Sequence, residues 1–264
     1  MPATSVPRVP SAPSLPRAFL RVVADVGRLV LPVACGGCGE LDVPLCEACH
    51  ARLRVEPRRC EASAPRLDRS DGSTVLPVWS LAPCTGEVRE LVVAWKDRGR
   101  TDLTRPLAAA LARGASHLAP ALVAGLGRCA PLLVVTAPSS PGARRRRGDD
   151  LVGRLGIAVA RALAADLPEV AVCRGLRRGG GARDQVGLGV RARAHNLAGQ
   201  VRVRRAAGAR LAGRPVLLVD DVLTTGATFA AAERALVGAG AVVVGGLVLA
   251  ATPPPGRRSG GTGT

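Results

Sequence analysis

The chain is poor in aromatic residues: it has no tyrosine, two phenylalanines and two tryptophans, which make up 2% of its 264 residues. Proteins that hold single-stranded nucleic acid by stacking its bases need several aromatic side chains on one surface. The scarcity therefore argues against a base-stacking platform.

Lysine is almost absent as well. Lys96 is the only lysine, and arginine supplies the other cations of a chain whose formal net charge is +17. Abundant arginine and alanine with scarce lysine are typical of GC-rich coding, so the arginine count alone says little about function. A surplus of this size still attracts polyanions such as phosphorylated metabolites or nucleic acid.

No secretory or membrane signal stands out in the sequence. The apolar stretch at 18–34 is interrupted by Arg21, Asp25 and Arg28, a pattern that favours an amphipathic helix over a spanning one. We therefore predict no membrane insertion and a cytoplasmic location. In that reducing compartment, clustered cysteines bind metal more often than they form disulfides.

Four of the eight cysteines fall within the fifteen residues CGGCGELDVPLCEAC. Cys35, Cys38, Cys46 and Cys49 form two C-x-x-C pairs, and four thiolates can close a tetrahedron around Zn²⁺. Because no ligand position stays open, the pattern predicts a structural zinc knuckle, with buried thiols or a redox pair as alternatives. The remaining cysteines are scattered and are interpreted as core or surface residues: Cys60, Cys84, Cys129 and Cys173.

The rest of the chain alternates between strand and helix patterns, which predicts an α/β fold with a mainly parallel sheet flanked by helices. Short apolar or alternating runs predict strands at 75–81, 132–135, 170–173, 216–219 and 241–250. Helical spacing predicts helices at 88–95, 103–119, 151–165 and 227–237. Ligands of such sheets bind beyond the carboxyl ends of the strands.

Composition divides the chain into five parts. Both ends are rich in Pro, Gly, Ser and Thr, so we interpret 1–17 and 253–264 as disordered tails. Between them we predict a helix and zinc knuckle at 18–53, a polar linker at 54–74 and one α/β domain at 75–252.

The stretch VLLVDDVLTTGATF, residues 216–229, combines a strand, two acids and a turn. The strand delivers Asp220 and Asp221 to the ligand edge, where their carboxylates suit sugar hydroxyls and a divalent cation would relieve their repulsion. The small residues that follow predict a turn whose amides, at a helix N-terminus, suit a phosphate. An ordinary turn with solvated acids is the alternative. The predicted phosphate contacts are Thr224, Thr225, Gly226, Ala227 and Thr228.

This stretch resembles the ribose-phosphate motif of type I phosphoribosyltransferases. Over about residues 30–252 the chain is similar to the ComF-type branch of that family, which carries a four-cysteine zinc knuckle ahead of the transferase domain. Three further segments match that branch: GEVRELVVAWKDRGR with Lys96 and Arg100, TAPSSPGARRRRG, and QVGLGVRARAHNL with Arg193 and Asn196.

The resemblance implies a type I phosphoribosyltransferase-like fold that binds 5-phosphoribosyl 1-diphosphate with Mg²⁺. A nitrogen nucleophile would displace pyrophosphate at the anomeric carbon, while Asp220 and Asp221 hold the ribose and favour its cationic transition state. The Gly-rich segment at 179–189 would be a mobile lid, with a disordered linker as the alternative.

The loop after the strand at 132–135 is expected at the ligand edge, opposite the phosphate turn. Its guanidinium groups suit bidentate capture of the pyrophosphate, and a solvated arginine run is the alternative. The residues expected to bind the diphosphate are Ser139, Ser140, Arg144, Arg145 and Arg147.

The same resemblance implies a rival function, because ComF-type proteins are implicated as a family in DNA uptake during natural transformation. In that case the chain is a non-catalytic competence protein that binds single-stranded DNA or contacts a DNA-handling helicase. A metabolite-binding regulator with neither activity is a third hypothesis, and the acceptor of any transfer reaction stays unidentified.

Overall fold

A computed structural model describes residues 33–67, 76–127, 131–138, 150–178 and 201–254. The strands are β1 (Arg58–Arg59), β2 (Val78–Pro83), β3 (Leu132–Thr136), β4 (Val170–Cys173), β5 (Leu176–Arg178), β6 (Val201–Val203), β7 (Pro215–Leu223) and β8 (Val242–Ala251). The helices are α1 (Glu47–Ala51), α2 (Gly86–Lys96), α3 (Thr104–Leu126), α4 (Leu151–Leu163), α5 (Gly208–Leu211) and α6 (Ala227–Val237).

Several predicted features lie outside the described residues. They are the tail at 1–17, the segment 18–32, Cys129, the proposed diphosphate loop with its serines and arginines, the Gly-rich segment at 179–189, the matched segment 185–197 and the last ten residues of the chain.

Six of the described strands form one sheet in the order β1-β2-β8-β7-β3-β4. Strand β1 pairs antiparallel with β2, and every other pairing in this sheet is parallel. Strands β5 and β6 form a separate antiparallel pair. The predicted α/β fold with a mainly parallel sheet is therefore confirmed.

Both faces of the sheet are covered, which is why its central strands are continuous apolar runs. On one face Leu217 and Val219 pack in a core with α2, α3, α4 and three cysteines of the knuckle. On the other face Val216 and Leu218 pack in a second core with α6 and α5. Strand β7 therefore lies at the centre of the fold.

The predicted strand at 170–173 and helix at 227–237 match β4 and α6 residue for residue. Helix α3 runs further than predicted, to Leu126, and passes through Pro120. A proline removes one helical hydrogen bond, so the sequence predicts an end before it. The buried stripe continues through Leu118 and Leu122 on either side of the proline, and this packing offsets the lost bond.

The segment predicted as a polar linker, 54–74, contains ordered structure in its described part. It supplies β1, a 3₁₀ turn at Glu61–Ser63, and two apolar side chains, Ala64 and Leu67, that are buried in the second core. Its apolar residues are too few and too irregularly spaced to give a strand or helix period, so composition alone did not predict this order.

One described helix has the length and hydropathy to cross a membrane on composition alone. It is α3 with its preceding 3₁₀ turn, Thr101–Leu126, with a mean hydropathy of 1.3 over the best window. Its residues Leu107, Leu111 and Ala115 are fully buried against the sheet core, as in a core helix of a globular protein. The helix is thus weak evidence for membrane insertion.

We expect Gly246→Ala to destabilise the fold, because an added methyl group at this position in β8 would overlap the ring of the buried Phe229 on α6. Overpacking of this kind costs about 1–3 kcal/mol of unfolding free energy. The matched control is Gly125→Ala in α3, where nothing lies within 4 Å of the added methyl. Urea unfolding of both variants checks this, and equal midpoints would contradict it.

Candidate binding site and candidate metal centre

The acid pair lies where β7 continues beyond one of its two neighbours. Pairing with β3 ends at Thr136 and Val219, whereas pairing with β8 continues to Leu223 and Ala251. The sequence predicts that the strand ends at Val219, but pairing with β8 extends it to Leu223. Asp220 and Asp221 are therefore the first residues of β7 left without a β3 partner, at the carboxyl edge of the sheet.

The two acids project to opposite faces of the sheet, because successive side chains of a strand alternate. Asp221 follows Leu217 and Val219 toward the face covered by α2, and Asp220 follows Leu218 toward the face of α6. Asp221 is buried, at 5% exposure, and Asp220 is half-buried.

The buried acid has a cationic partner from a distant part of the chain. The Lys96 ammonium lies 3.0 Å from Oδ1 and 2.9 Å from Oδ2 of Asp221. Lys96 is the last residue of α2, so its side chain leaves the end of the helix toward the end of β7. Both oxygens of Asp221 are therefore engaged by the protein itself.

Asp220 is the member of the pair whose pKa is raised. Burial raises the pKa of Asp220, and the adjacent charge of Asp221 raises it further, to about 8. Hydrogen bonding from the Asp221 amide and the charge of Lys96 act in the opposite direction. The Oδ1 atom of Asp220 accepts from that amide at 2.9 Å.

A divalent cation beside the pair stays a prediction. Asp221 contacts Lys96 through both oxygens, and the pKa of Asp220 is raised to about 8 by burial and by the charge of Asp221. The positive charge that the two acids require is provided in this fold by an amine.

The turn after the acids leads directly into α6. Thr224 and Thr225 are exposed, and Gly226 stands at the N-cap of α6 with φ near +79°. This left-handed backbone favours glycine. Because Gly226 has no side chain, it offers no N-cap oxygen that would compete with a ligand for the first-turn amides. The Thr225 hydroxyl accepts a long hydrogen bond, 3.4 Å, from the Ala227 amide.

The turn packs against residues 64–67, which belong to the segment predicted to be a linker. The Arg66 amide donates to the Thr225 carbonyl at 3.0 Å. An added methyl on Gly226 would lie 2.8 Å from Leu67 and 3.1 Å from Ala64, so glycine is required by contact as well as by conformation. Sequence reasoning missed this support because the two segments are far apart in the chain.

The entry to the proposed diphosphate loop lies beside the acids. The Ala137 amide donates to the Val219 carbonyl, one residue before Asp220, at 2.8 Å. The Pro138 carbonyl accepts from Arg178 at 3.1 Å. The chain thus leaves β3 at the edge where the acid pair lies, although the serines and arginines beyond Pro138 are outside the described residues.

The four cysteines of the knuckle come together as predicted. Their sulfur atoms all lie within 4.8 Å of one another, which is close enough to hold a metal ion such as zinc. Within the described ranges they are the one group of three or more His, Cys, Asp or Glu side chains with this property. The ligand residues are Cys35, Cys38, Cys46 and Cys49.

The chemistry of the cluster favours a cation at its centre. The Cys46 amide points at the sulfur of Cys35, 3.4 Å away, and the Cys49 amide points at that of Cys46, 3.5 Å away. Such amides stabilise thiolates. Burial raises the pKa of Cys49, and the other three sulfurs raise it further, because thiolates this close repel one another. A bound cation removes that penalty.

The knuckle packs on α2, the helix that carries Lys96. A methyl group added to Gly37 would lie 3.1 Å from both the Glu87 carbonyl and Leu91 of that helix. Arg100 donates to the Ala34 carbonyl at 2.8 Å and so joins the knuckle to the turn that follows α2. Lys96 and Arg100, which the resemblance pairs, therefore have different partners.

The comparison with known proteins adds no identification. No model of a known protein family matches the chain, and no functionally curated protein matches it either. The resemblance to a family therefore stays a prediction from the sequence.

We expect Cys38→Ser to lose the bound metal, because three thiolates and a hydroxyl hold zinc more weakly than four thiolates. Metal analysis of the purified protein should give about one zinc per chain for the natural sequence and much less for the variant. Cys60→Ser is the control, since Cys60 lies outside the cluster and donates to the Val78 carbonyl. Zinc missing from the natural protein would contradict the assignment.

We expect the raised pKa of Asp220 to appear as a pH-dependent loss of stability. Its pKa is about 8 in the folded protein and near 3.8 in the unfolded chain, so the folded state binds the extra proton between these values. The stability gained from that proton is complete at low pH and is lost as the pH rises toward 8. Asp220→Asn removes this pH-dependent contribution to the free energy of unfolding.

The measurement is urea unfolding of both proteins at pH 5 and pH 8. Relative to Asp220→Asn, the natural protein should lose on the order of 1–3 kcal/mol between the two pH values. Asp166→Asn, at an exposed position near the opposite edge of the sheet, should track the natural protein. Parallel curves for the natural protein and Asp220→Asn would show that Asp220 ionises normally.

Proposed function

We propose that the protein binds 5-phosphoribosyl 1-diphosphate and transfers its phosphoribosyl group, as a cytoplasmic ComF-type member of the type I phosphoribosyltransferases. The observation that carries the proposal is the junction of β7 and α6. There an acid pair at the edge of a parallel sheet is followed at once by an exposed, threonine-lined turn at a helix N-terminus.

The turn supplies the site for the 5′-phosphate. Amide groups of the first turn of a helix carry partial positive charge and have no partner within the helix, so an anion is stabilised there. Thr224 and Thr225 are exposed and can donate their hydroxyls to the same phosphate, and the half-buried Thr228 is the second residue of α6. Gly226 allows the tight approach between backbone and ligand.

The acids supply the site for the ribose. Asp221 is held as the partner of Lys96, and Asp220, the residue before it, has a raised pKa. Such a pair can accept from sugar hydroxyls. Its negative charge also favours the positive charge that develops on the sugar during displacement.

The reaction is displacement at the anomeric carbon. The lone pair of an acceptor nitrogen forms the new C–N bond, and the C–O bond to the diphosphate breaks with its electron pair leaving on pyrophosphate. The protein contributes position and electrostatics rather than a covalent intermediate. Mg²⁺ would arrive with the donor, because diphosphate oxygens are among its usual ligands.

Zinc is proposed to have a structural role in the knuckle. Four cysteine ligands leave no position for substrate or water, which is the arrangement of structural sites. Three of the four cysteines are buried in the same core as α2, so the metal would stabilise the face of the sheet on which Asp221 lies.

We expect Asp221→Asn to lose most of the affinity for the donor while retaining the fold. The amide is nearly isosteric but neutral, so it cannot hold Lys96 by charge or favour a cationic sugar. Calorimetric titration with the donor and Mg²⁺ should show a Kd raised roughly 10- to 100-fold, the worth of a hydrogen bond to a charged group. Asp166→Asn is the control, and equal donor affinity in the two variants would remove the carboxylate from the site.

The formal charge of +17 favours a second candidate function, in which the protein binds single-stranded DNA or contacts a DNA-handling helicase. Backbone binding of this kind weakens steeply as salt rises, since each neutralised phosphate releases a counterion. Fluorescence anisotropy with a labelled oligonucleotide at 50 and 200 mM salt tests it. A Kd that changes little with salt would contradict an electrostatic DNA site.

A further inference from the structure

Lys96 is the only lysine of the chain. Among the described residues, it forms an ion pair with Asp221, the second of the two adjacent acids. Arginine is the default cation in this sequence, yet a lysine stands at position 96. An ammonium group is a compact point charge, whereas a guanidinium group is a broad planar fork. The space between α2 and β7 admits Nζ within 3.0 Å of both oxygens of Asp221.

A lysine at the end of a helix has a simpler explanation, since a cation there interacts favourably with the last carbonyl groups. That explanation does not require contact with a strand. Lys96 instead places its ammonium against both carboxylate oxygens of a buried side chain that is 125 residues away in sequence. The ammonium therefore contacts Asp221 at hydrogen-bond distance through both carboxylate oxygens.

Helix α2 is fixed in a way that keeps the ammonium in register with β7. Trp95, the residue before Lys96, is fully buried and donates from its indole nitrogen to the Thr104 hydroxyl at 2.9 Å. The opposite end of the helix contacts the knuckle through Gly37. Lys96 thus projects from a helix that is anchored at both ends.

We propose that Lys96 is the positioning residue of the acid pair. Its ammonium group orients the Asp221 carboxylate and supplies positive charge beside the two acids. This inference rests on the proposed function, in which the Asp221 carboxylate binds a sugar. It differs from the expectation drawn from the sequence, in which a divalent cation relieved the repulsion between the acids.

The electrostatic consequence can be measured in the protein without any ligand. Lys96 acts to lower the pKa of Asp220, against the larger effects of burial and of Asp221. Cys84, the residue after β2, lies near the same charges, and burial raises the pKa of its thiol. Removal of the ammonium should therefore move the titration of Asp220 upward.

The first experiment is carbon-13 NMR titration of the aspartate carboxyl groups in the natural protein, Lys96→Met and Arg98→Met. Arg98 follows the same helix end but forms an exposed pair with Glu90, 2.8 Å away. We expect the Asp220 midpoint to rise by about one pH unit in Lys96→Met and to stay unchanged in Arg98→Met. An unmoved midpoint in Lys96→Met overturns the proposal, and Lys96→Gln replaces that variant if its fold is lost.

The second experiment measures donor affinity by calorimetry. Lys96→Met should weaken binding roughly 10- to 100-fold, Lys96→Arg should recover part of the loss, and Arg98→Met should bind as the natural protein does. In an Asp221→Asn background, Lys96→Met should add little, because the two residues act through one contact. Fully additive losses overturn the proposal. Failure of the natural protein to bind the donor would instead refute the proposed function, and the titration would still decide the role of Lys96.

Discussion

The contact between Lys96 and Asp221 is the interaction on which the arrangement of the site depends. It joins the end of α2 to the end of β7 and brings a buried carboxylate to the edge of the sheet without leaving it unpaired. An isolated buried carboxylate would take up a proton instead of keeping its charge. Burial and the charge of Asp221 raise the pKa of Asp220, and the charge of Lys96 acts against them.

The rest of the fold supports the two elements that meet at this contact. The knuckle packs against α2 through Gly37 and is joined to the following turn by Arg100. On the other side of the sheet, the segment with Arg66 and Leu67 supports the turn between β7 and α6. Both supports involve residues between 33 and 67, so this described part of the N-terminal region belongs to the site's framework.

Local pattern was enough to predict much of this fold. The continuous apolar run before Asp220 predicts a strand buried on both faces, and that strand lies at the centre of the sheet. The spacing of Cys35, Cys38, Cys46 and Cys49 predicts the cluster because four ligands within fifteen residues are brought together by short turns. The small residues after the acids predict a turn leading into a helix, and in the structure Gly226 lies before α6 with φ near +79°.

The features that escaped prediction all depend on contacts between distant segments. The extension of β7 past Val219 comes from pairing with β8, and the order in 54–67 comes from burial of two apolar residues against the second core. Lys96 was singled out only through the resemblance, and nothing in its neighbourhood of the sequence indicates that Asp221 is its partner. A hydrophobic period or a motif predicts the helix or strand to which a residue belongs. It does not predict which other element that residue contacts.

The most direct test of the central claim is a crystal structure of the protein with 5-phosphoribosyl 1-diphosphate and Mg²⁺. The account predicts that the 5′-phosphate lies against the amides and hydroxyls of the turn at 224–228. It also predicts that the ribose hydroxyls contact the acids and that Lys96 still holds Asp221. A donor bound elsewhere while that turn stays empty would contradict the account.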